Sequence, residues 1–176
     1  MNIFRTDMKK ILSLVFLCLL FVQCGYHLRG AGAFLPPHIK KMNIPVFKNN
    51  TRRFELDVKL TQAVINEIVA RGKVEITGSI KSADAVLTGE IVNFRVHPIA
   101  FSGEATADRY NIVIVAKIIL RDLVSQNVIF SNDNFVFQQE YEVPQGTDFQ
   151  SVESEAIDKV AKKFARNLVV TILEGF

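Results

Sequence analysis

The clearest chemistry in this chain belongs to Cys24, because of what stands before it. Arg5, Lys9 and Lys10 form a charged n-region, and Ile11 to Val22 make an almost unbroken apolar run. That run fits the roughly 7–15 residues of an export-signal h-region and falls short of the roughly 20 that cross a bilayer as a helix. A thiol closing such a segment is placed for diacylglyceryl attachment, cleavage before the cysteine and acylation of the new amine. Two or more acyl chains hold stably where one is marginal, at about 0.8 kcal/mol per buried CH₂. Cys24 is therefore the predicted lipidation residue, residues 1–23 the predicted lipoprotein signal peptide, and the mature chain a domain tethered to a membrane surface. Gln23 departs from the small residue that usually precedes a lipidated cysteine. The alternative is an ordinary export signal in which Cys24 is incidental.

Beyond that thiol the chemistry is thin. His27, His38 and His97 stand near no Cys, Asp or Glu at ligand spacing. Nothing resembles a His-Glu-x-x-His pair, a phosphate-cradling glycine loop or a nucleophile elbow. Glu140 and Glu142 lie two apart on an expected strand, so they share an exposed face more readily than an active site. The reading is non-enzymatic, with no metal and no cofactor, and it moves the expectation to binding or assembly.

The elements that must position the remaining charges are legible from periodicity. Lys41 to Phe47 reads as a short strand, with Pro45 at an edge or strand end. Thr51 is the candidate N-cap of a helix from Phe54 to Arg71, whose Leu56, Leu60, Ala63, Val64 and Ile68 recur at helical spacing, with Gly72 as its stop. A short strand follows at Lys73 to Thr77. Three long strands come next: Ala85 to Ile99, with a bulge where parity changes between Ile91 and Phe94; Asp108 to Asp122; and Asn127 to Val143. Turns near Ser102-Gly103 and Ser125-Gln126-Asn127 would make them antiparallel hairpins. The middle strand has one clean apolar face at Tyr110, Ile112, Ile114, Ala116, Ile118 and Leu120. Its other face mixes Val113, Val115 and Ile119 with Arg109, Lys117 and Arg121. A closing helix from Ser151 to Leu173 buries Val152, Ala156, Ile157, Val160, Phe164, Leu168 and Ile172. Its Lys159, Lys162, Lys163 and Arg166 form one basic row, read first as a solvated face and only second as a contact for lipid phosphates.

The predicted fold is α+β: a mostly antiparallel sheet of about four strands with two helices packed on one face. Residues 24–40 are a tether, and residues 41–176 a single domain. The mixed sheet face is left open and invites a partner. Removing the signal leaves eighteen bases against seventeen acids, a net charge of +1, which argues against a nucleic-acid binder. Cys18 leaves with the signal and Cys24 would be capped, so no internal disulfide is available and the hydrophobic core must hold the domain.

Two stretches carry a family resemblance. Cys24-Gly25-Tyr26-His27-Leu28-Arg29-Gly30 is similar to the start of the mature chain in the LptE family of lipopolysaccharide-assembly outer-membrane lipoproteins. Ile44-Pro45-Val46-Phe47-Lys48-Asn49-Asn50-Thr51 resembles the strand-to-helix passage of that family outside the enteric bacteria. The resemblance implies a non-enzymatic partner of LptD, the outer-membrane β-barrel that inserts lipopolysaccharide into the outer leaflet. Such a protein sits largely inside the barrel as a plug, helps it fold and binds lipopolysaccharide. Gly25 after the cysteine agrees with passage onward to the outer membrane. About 13 extended leader residues reach about 45 Å, enough to let the domain enter the barrel from a periplasm-facing anchor. Arg95, Arg109, Lys117 and Arg121 are the candidate lipopolysaccharide-binding residues, by charge-assisted bonds to lipid A phosphates. The competing reading pairs them with acids on neighbouring strands or on the barrel wall. A different outer-membrane lipoprotein, serving a secretion or surface-fibre machine, is the alternative function.

Overall fold

A computed structural model of the chain describes residues 35–101, 107–144, 147 and 149–174. Cys24, the leader up to residue 34 and the Ser102-Gly103 turn lie outside the described residues.

Strong period-2 alternation builds three long strands, β4 (Ala85–Phe101), β5 (Ala107–Asp122) and β6 (Val128–Glu142). They pair antiparallel in sequence order, as expected. The expected bulge is present: the register steps between Ile91 and Asn93, leaving Val92 exposed. At the β5–β6 turn Gln126 takes a positive φ of 62°.

Short segments complete the sheet. These are β1 (Lys41–Asn43), β2 (Lys48–Asn49) and β3 (Glu75–Ile76), with a 3₁₀ turn at Ile80–Ser82. The order is β3-β1-β4-β5-β6, with β2 also on β4, and every pairing of the short strands is parallel. This corrects the expected sheet of about four mostly antiparallel strands to a mixed sheet of six. The connection permits it: β3 returns beside β1 through a helix, the crossover that a parallel pair requires, and β4 then lies on the other flank of β1 in the same direction. The first strand also stops at Asn43, before Pro45, and it lies inside the sheet, not at an edge.

Helix α1 (Leu56–Arg71) supplies that connection. Gly72 ends it in the left-handed region at φ 62°, the conformation that favours glycine at a helix C-terminus. Thr51 does not cap it. Its hydroxyl accepts the Arg53 amide at 3.1 Å in a local turn, and Glu55 occupies the N-cap position with no side-chain cap bond. Helix α2 (Phe149–Glu174) closes the chain. Its buried stripe is wider than a single row, because it packs on α1 as well as on the sheet: Ala161, Ala165 and Val169 are buried with the expected residues, except that Val152 is only partly buried.

Both helices cover one face. Phe164 packs edge-on against Phe135 and Phe137, with ring centroids 5.5 and 5.8 Å apart, and the apolar face of β5 is fully buried from Ile112 to Leu120. Leu35 and Ile39, just ahead of β1, belong to the same core. Among the described residues no helix is long and apolar enough to cross a membrane.

Candidate functional site

No helix among the described residues covers the second face of the long strands. Register places Arg109 opposite Glu142, Asn111 opposite Glu140, Arg95 opposite Val113 and Lys117 opposite Glu90. Directly opposed residues share a face, so all four expected cations stand on the open side. They do not form a cluster. From Arg109 to Arg121 the strand runs about 40 Å at roughly 3.3 Å per residue, and Val113, Val115 and Ile119 stand between the charges.

Most of these cations already have partners. The Arg109 guanidinium lies 3.3 Å from Glu142 and 3.9 Å from Glu140. Lys117 Nζ lies 2.8 Å from Asp133, and that bond holds its pKa above the ordinary lysine value. Arg121 donates weakly to the Gln126 carbonyl at 3.5 Å. Arg95 is exposed and has no ion pair among the described residues. Across from Lys117, Glu90 accepts from Lys48 Nζ at 3.2 Å and from the Asn50 amide, and these bonds, the Lys48 bond foremost, lower its pKa. The face is thus an apolar seam with ion-paired margins. Val113 is nearly buried within its own sheet, while Val92 and Val136 are about half exposed at 49% and 45%.

The stretch Ile44 to Thr51 has a positional role. Phe47 is buried against Gly89 of β4, and its amide donates to Thr61 Oγ1 at 2.9 Å, which ties the passage to α1. Asn49 Oδ1 accepts the Thr51 amide and hydroxyl at 2.9 and 2.7 Å. Across the helices, Arg53 pairs with Glu153 at 2.9 Å and Lys59 with Asp158.

One constellation of catalytic residue types forms that spacing did not foretell, because its members are 84 positions apart. His38 Nε2 lies 2.7 Å from Asp122 Oδ2, and the Ser125 hydroxyl donates to the same oxygen at 2.6 Å. The Val124 and Ser125 amides donate to Oδ1 at 2.8 and 3.1 Å. A nucleophile needs its base within hydrogen-bond reach, but here serine and histidine both address the carboxylate. The arrangement fastens a turn. Its donors, with the Ser125 hydroxyl foremost, hold the Asp122 pKa well below the ordinary carboxylate range. No group of three or more metal-ligating side chains occurs among the described residues.

A family model described as LptE, lipopolysaccharide-assembly, matches residues 39–172. The chain belongs to the LptE family. The match runs from the core residue Ile39 through both helices and includes the Ile44 to Thr51 stretch, whereas Cys24 precedes it. LptE is a family of non-enzymatic outer-membrane lipoproteins of the lipopolysaccharide-assembly type. Similar solved folds include a PelC dodecamer from Paraburkholderia phytofirmans, at 17% identity over 82% of this chain and 94% of that one, with a TM-score of 0.51. Protein XCC0632 from Xanthomonas campestris is similar at 14% identity over 78% and 86%, with a TM-score of 0.53. Such identities speak for the fold alone. Comparison with curated proteins finds no significant match.

Proposed function

We propose that this LptE-family protein is anchored at the outer membrane through lipidated Cys24 and partners an LptD-like β-barrel. It sits in the barrel lumen as a plug, assists barrel assembly and serves lipopolysaccharide insertion into the outer leaflet. The observation that carries this reading is the open sheet face. An apolar seam that includes the half-exposed Val92 and Val136, flanked by salt-bridged margins, suits a wall that is itself partly polar and presents backbone-rigid strands. Ion pairs such as Arg109 with Glu142 and Lys117 with Asp133 neutralise part of the charge on this face, which lowers the cost of enclosing it.

The test is a mild-detergent pull-down of the tagged full-length protein from its native membranes. Recovery of one large β-barrel at about one to one supports the plug. The similar fold of PelC, described as a dodecamer, favours a second outcome worth scoring, a self-assembled ring. Recovery of such a ring without a barrel would move the function to the secretion or surface-fibre alternative.

A further inference from the structure

A sheet edge left open is a place where another strand can join, and this fold guards most of its own. β3 ends the sheet on one side with only Glu75–Ile76. β4 is covered along its first half by β1 and β2, and the rest of it holds Pro98 with register shifts on either side of Ala100. β6 ends the sheet on the other side, and two register shifts interrupt its first half. From Phe135 to Glu142 it has none of these devices: its register against β5 is unbroken and it holds no proline. No strand among the described residues pairs with its outer side.

The outward main-chain groups follow from the ladder. The Val143 amide donates to the Asp108 carbonyl at 2.8 Å. Along an antiparallel strand these groups turn towards the partner and away from it on alternate residues. The N–H and C=O of Val136, Gln138, Glu140 and Glu142 therefore point away from β5. The Glu140 carbonyl accepts the Gln139 side-chain amide at 2.8 Å, a side-chain bond where a ladder bond would stand. Beside this edge lies a cavity of about 310 Å³ between β6 and α2. Tyr141 and Val160, both buried, line it, and Lys159, Lys162, Lys163 and Arg166 stand around it. Lys159 pairs with Glu155 at 2.6 Å, whereas the other three cations are exposed with no ion pair or hydrogen bond among the described residues. Glu140 also lines the cavity, but its carboxylate lies 3.9 Å from Arg109 of the open face.

We infer that the Val136–Glu142 edge takes up an extended acidic segment of another polypeptide as one more strand of the sheet. The segment's main chain bonds the outward groups of β6, one apolar side chain lies on Tyr141 and Val160, and a carboxylate two residues away meets Lys162, Lys163 and Arg166. The spacing agrees. Lys163 and Arg166 lie about 4.5 and 9 Å along α2 from Val160 at 1.5 Å per residue, which brackets the roughly 6.7 Å between neighbours on one face of a strand. An isolated anion would use the cations and leave the edge amides unpaired. The chain's own leader does not fit, since Gly25 to Leu35 holds Arg29 and no acid. The inference goes beyond the plug reading and stands whichever barrel the open face meets.

The experiment uses the full-length protein in mild detergent and a short fluorescent peptide in which Val and Glu alternate on one face and Ser fills the other. Two further versions carry backbone N-methyl groups, one at every Ser and one at every Val and Glu. Only one of these sets faces β6 in a ladder, so one version should lose affinity by about tenfold or more while the other binds like the parent. The triple substitution Lys162→Gln, Lys163→Gln, Arg166→Gln should weaken binding of the parent peptide by about tenfold at an unchanged thermal midpoint. Gln138→Pro removes an outward amide and no bond to β5, and should weaken it likewise. Absence of binding by the parent peptide overturns the inference. Equal effects of the two methylated versions also overturn it, because charge attraction alone would then account for the binding. A dimer that Gln138→Pro converts to a monomer would give the edge to a second copy and overturn it too. Barrel recovery in the pull-down tests the plug reading separately.

Discussion

His38 Nε2 lies 2.7 Å from Asp122 Oδ2, joining the segment that leads into β1 to the last residue of β5. The same carboxylate receives three bonds from the turn that leads into β6, so one buried aspartate ties the segment ahead of β1 to the β5–β6 hairpin.

That relationship predicts an acid-sensitive fold. Asp122 has a pKa lowered in the folded state from an ordinary 3.8, so its stabilising contribution is complete above that value and disappears as pH falls towards the lowered one. Asp84, lowered by the Lys40 and Lys41 amides that its carboxylate accepts at 2.8 Å each, acts in the same direction. The thermal midpoint should therefore hold level above the carboxylate range and drop below it. Asp122→Asn should lower the midpoint at neutral pH and flatten the acid-side drop; a variant with an unaltered acid profile would refute the assignment.

Gly89 is required by space. A Cβ there would lie 2.7 Å from three ring atoms of Phe47, which is only 2% exposed and cannot swing into solvent. Gly89→Ala should cost about 1–3 kcal/mol in a denaturant titration, as overpacked cores do. Adding Phe47→Leu to it should recover part of that loss, whereas a simple propensity effect would show no rescue.

Val136, opposite Val115 on the open face, is 45% exposed, so a charge there does little to the isolated fold. If this face meets the barrel wall, Val136→Glu should sharply reduce the barrel recovered with the protein at an unchanged thermal midpoint. Equal recovery would move the docking surface elsewhere.

Cys24→Ala should abolish labelling by radioactive palmitate, and an inhibitor of the lipoprotein signal peptidase should leave a larger, uncleaved form. Labelling that survives the substitution would return Cys24 to an incidental role and place any lipid elsewhere.

What could be read in the chain was whatever repeats locally. Alternation along β5 and β6 and the apolar stripe of α2 each span many residues, so their periods stand out and their buried faces follow. The bulge after Ile91 was visible as a break in parity, and Gly72 as a helix stop. The basic row of α2 was visible too, but not that Lys159 holds Glu155 while Asp158 is taken by Lys59. What tertiary structure alone decided involves partners far apart in sequence. The short strands β1 and β3 fall inside segments that read as strands, but local spacing could not separate β2 from β1 or show that β3 runs parallel beside β1, and β1 and β2 parallel beside β4. The pairing of Arg109 with Glu142 and Lys117 with Asp133 depends on strand register, as the fastening of His38 to Asp122 depends on where the chain's two ends of the sheet meet. Local spacing sets which side a residue faces; only the folded register sets what it finds there.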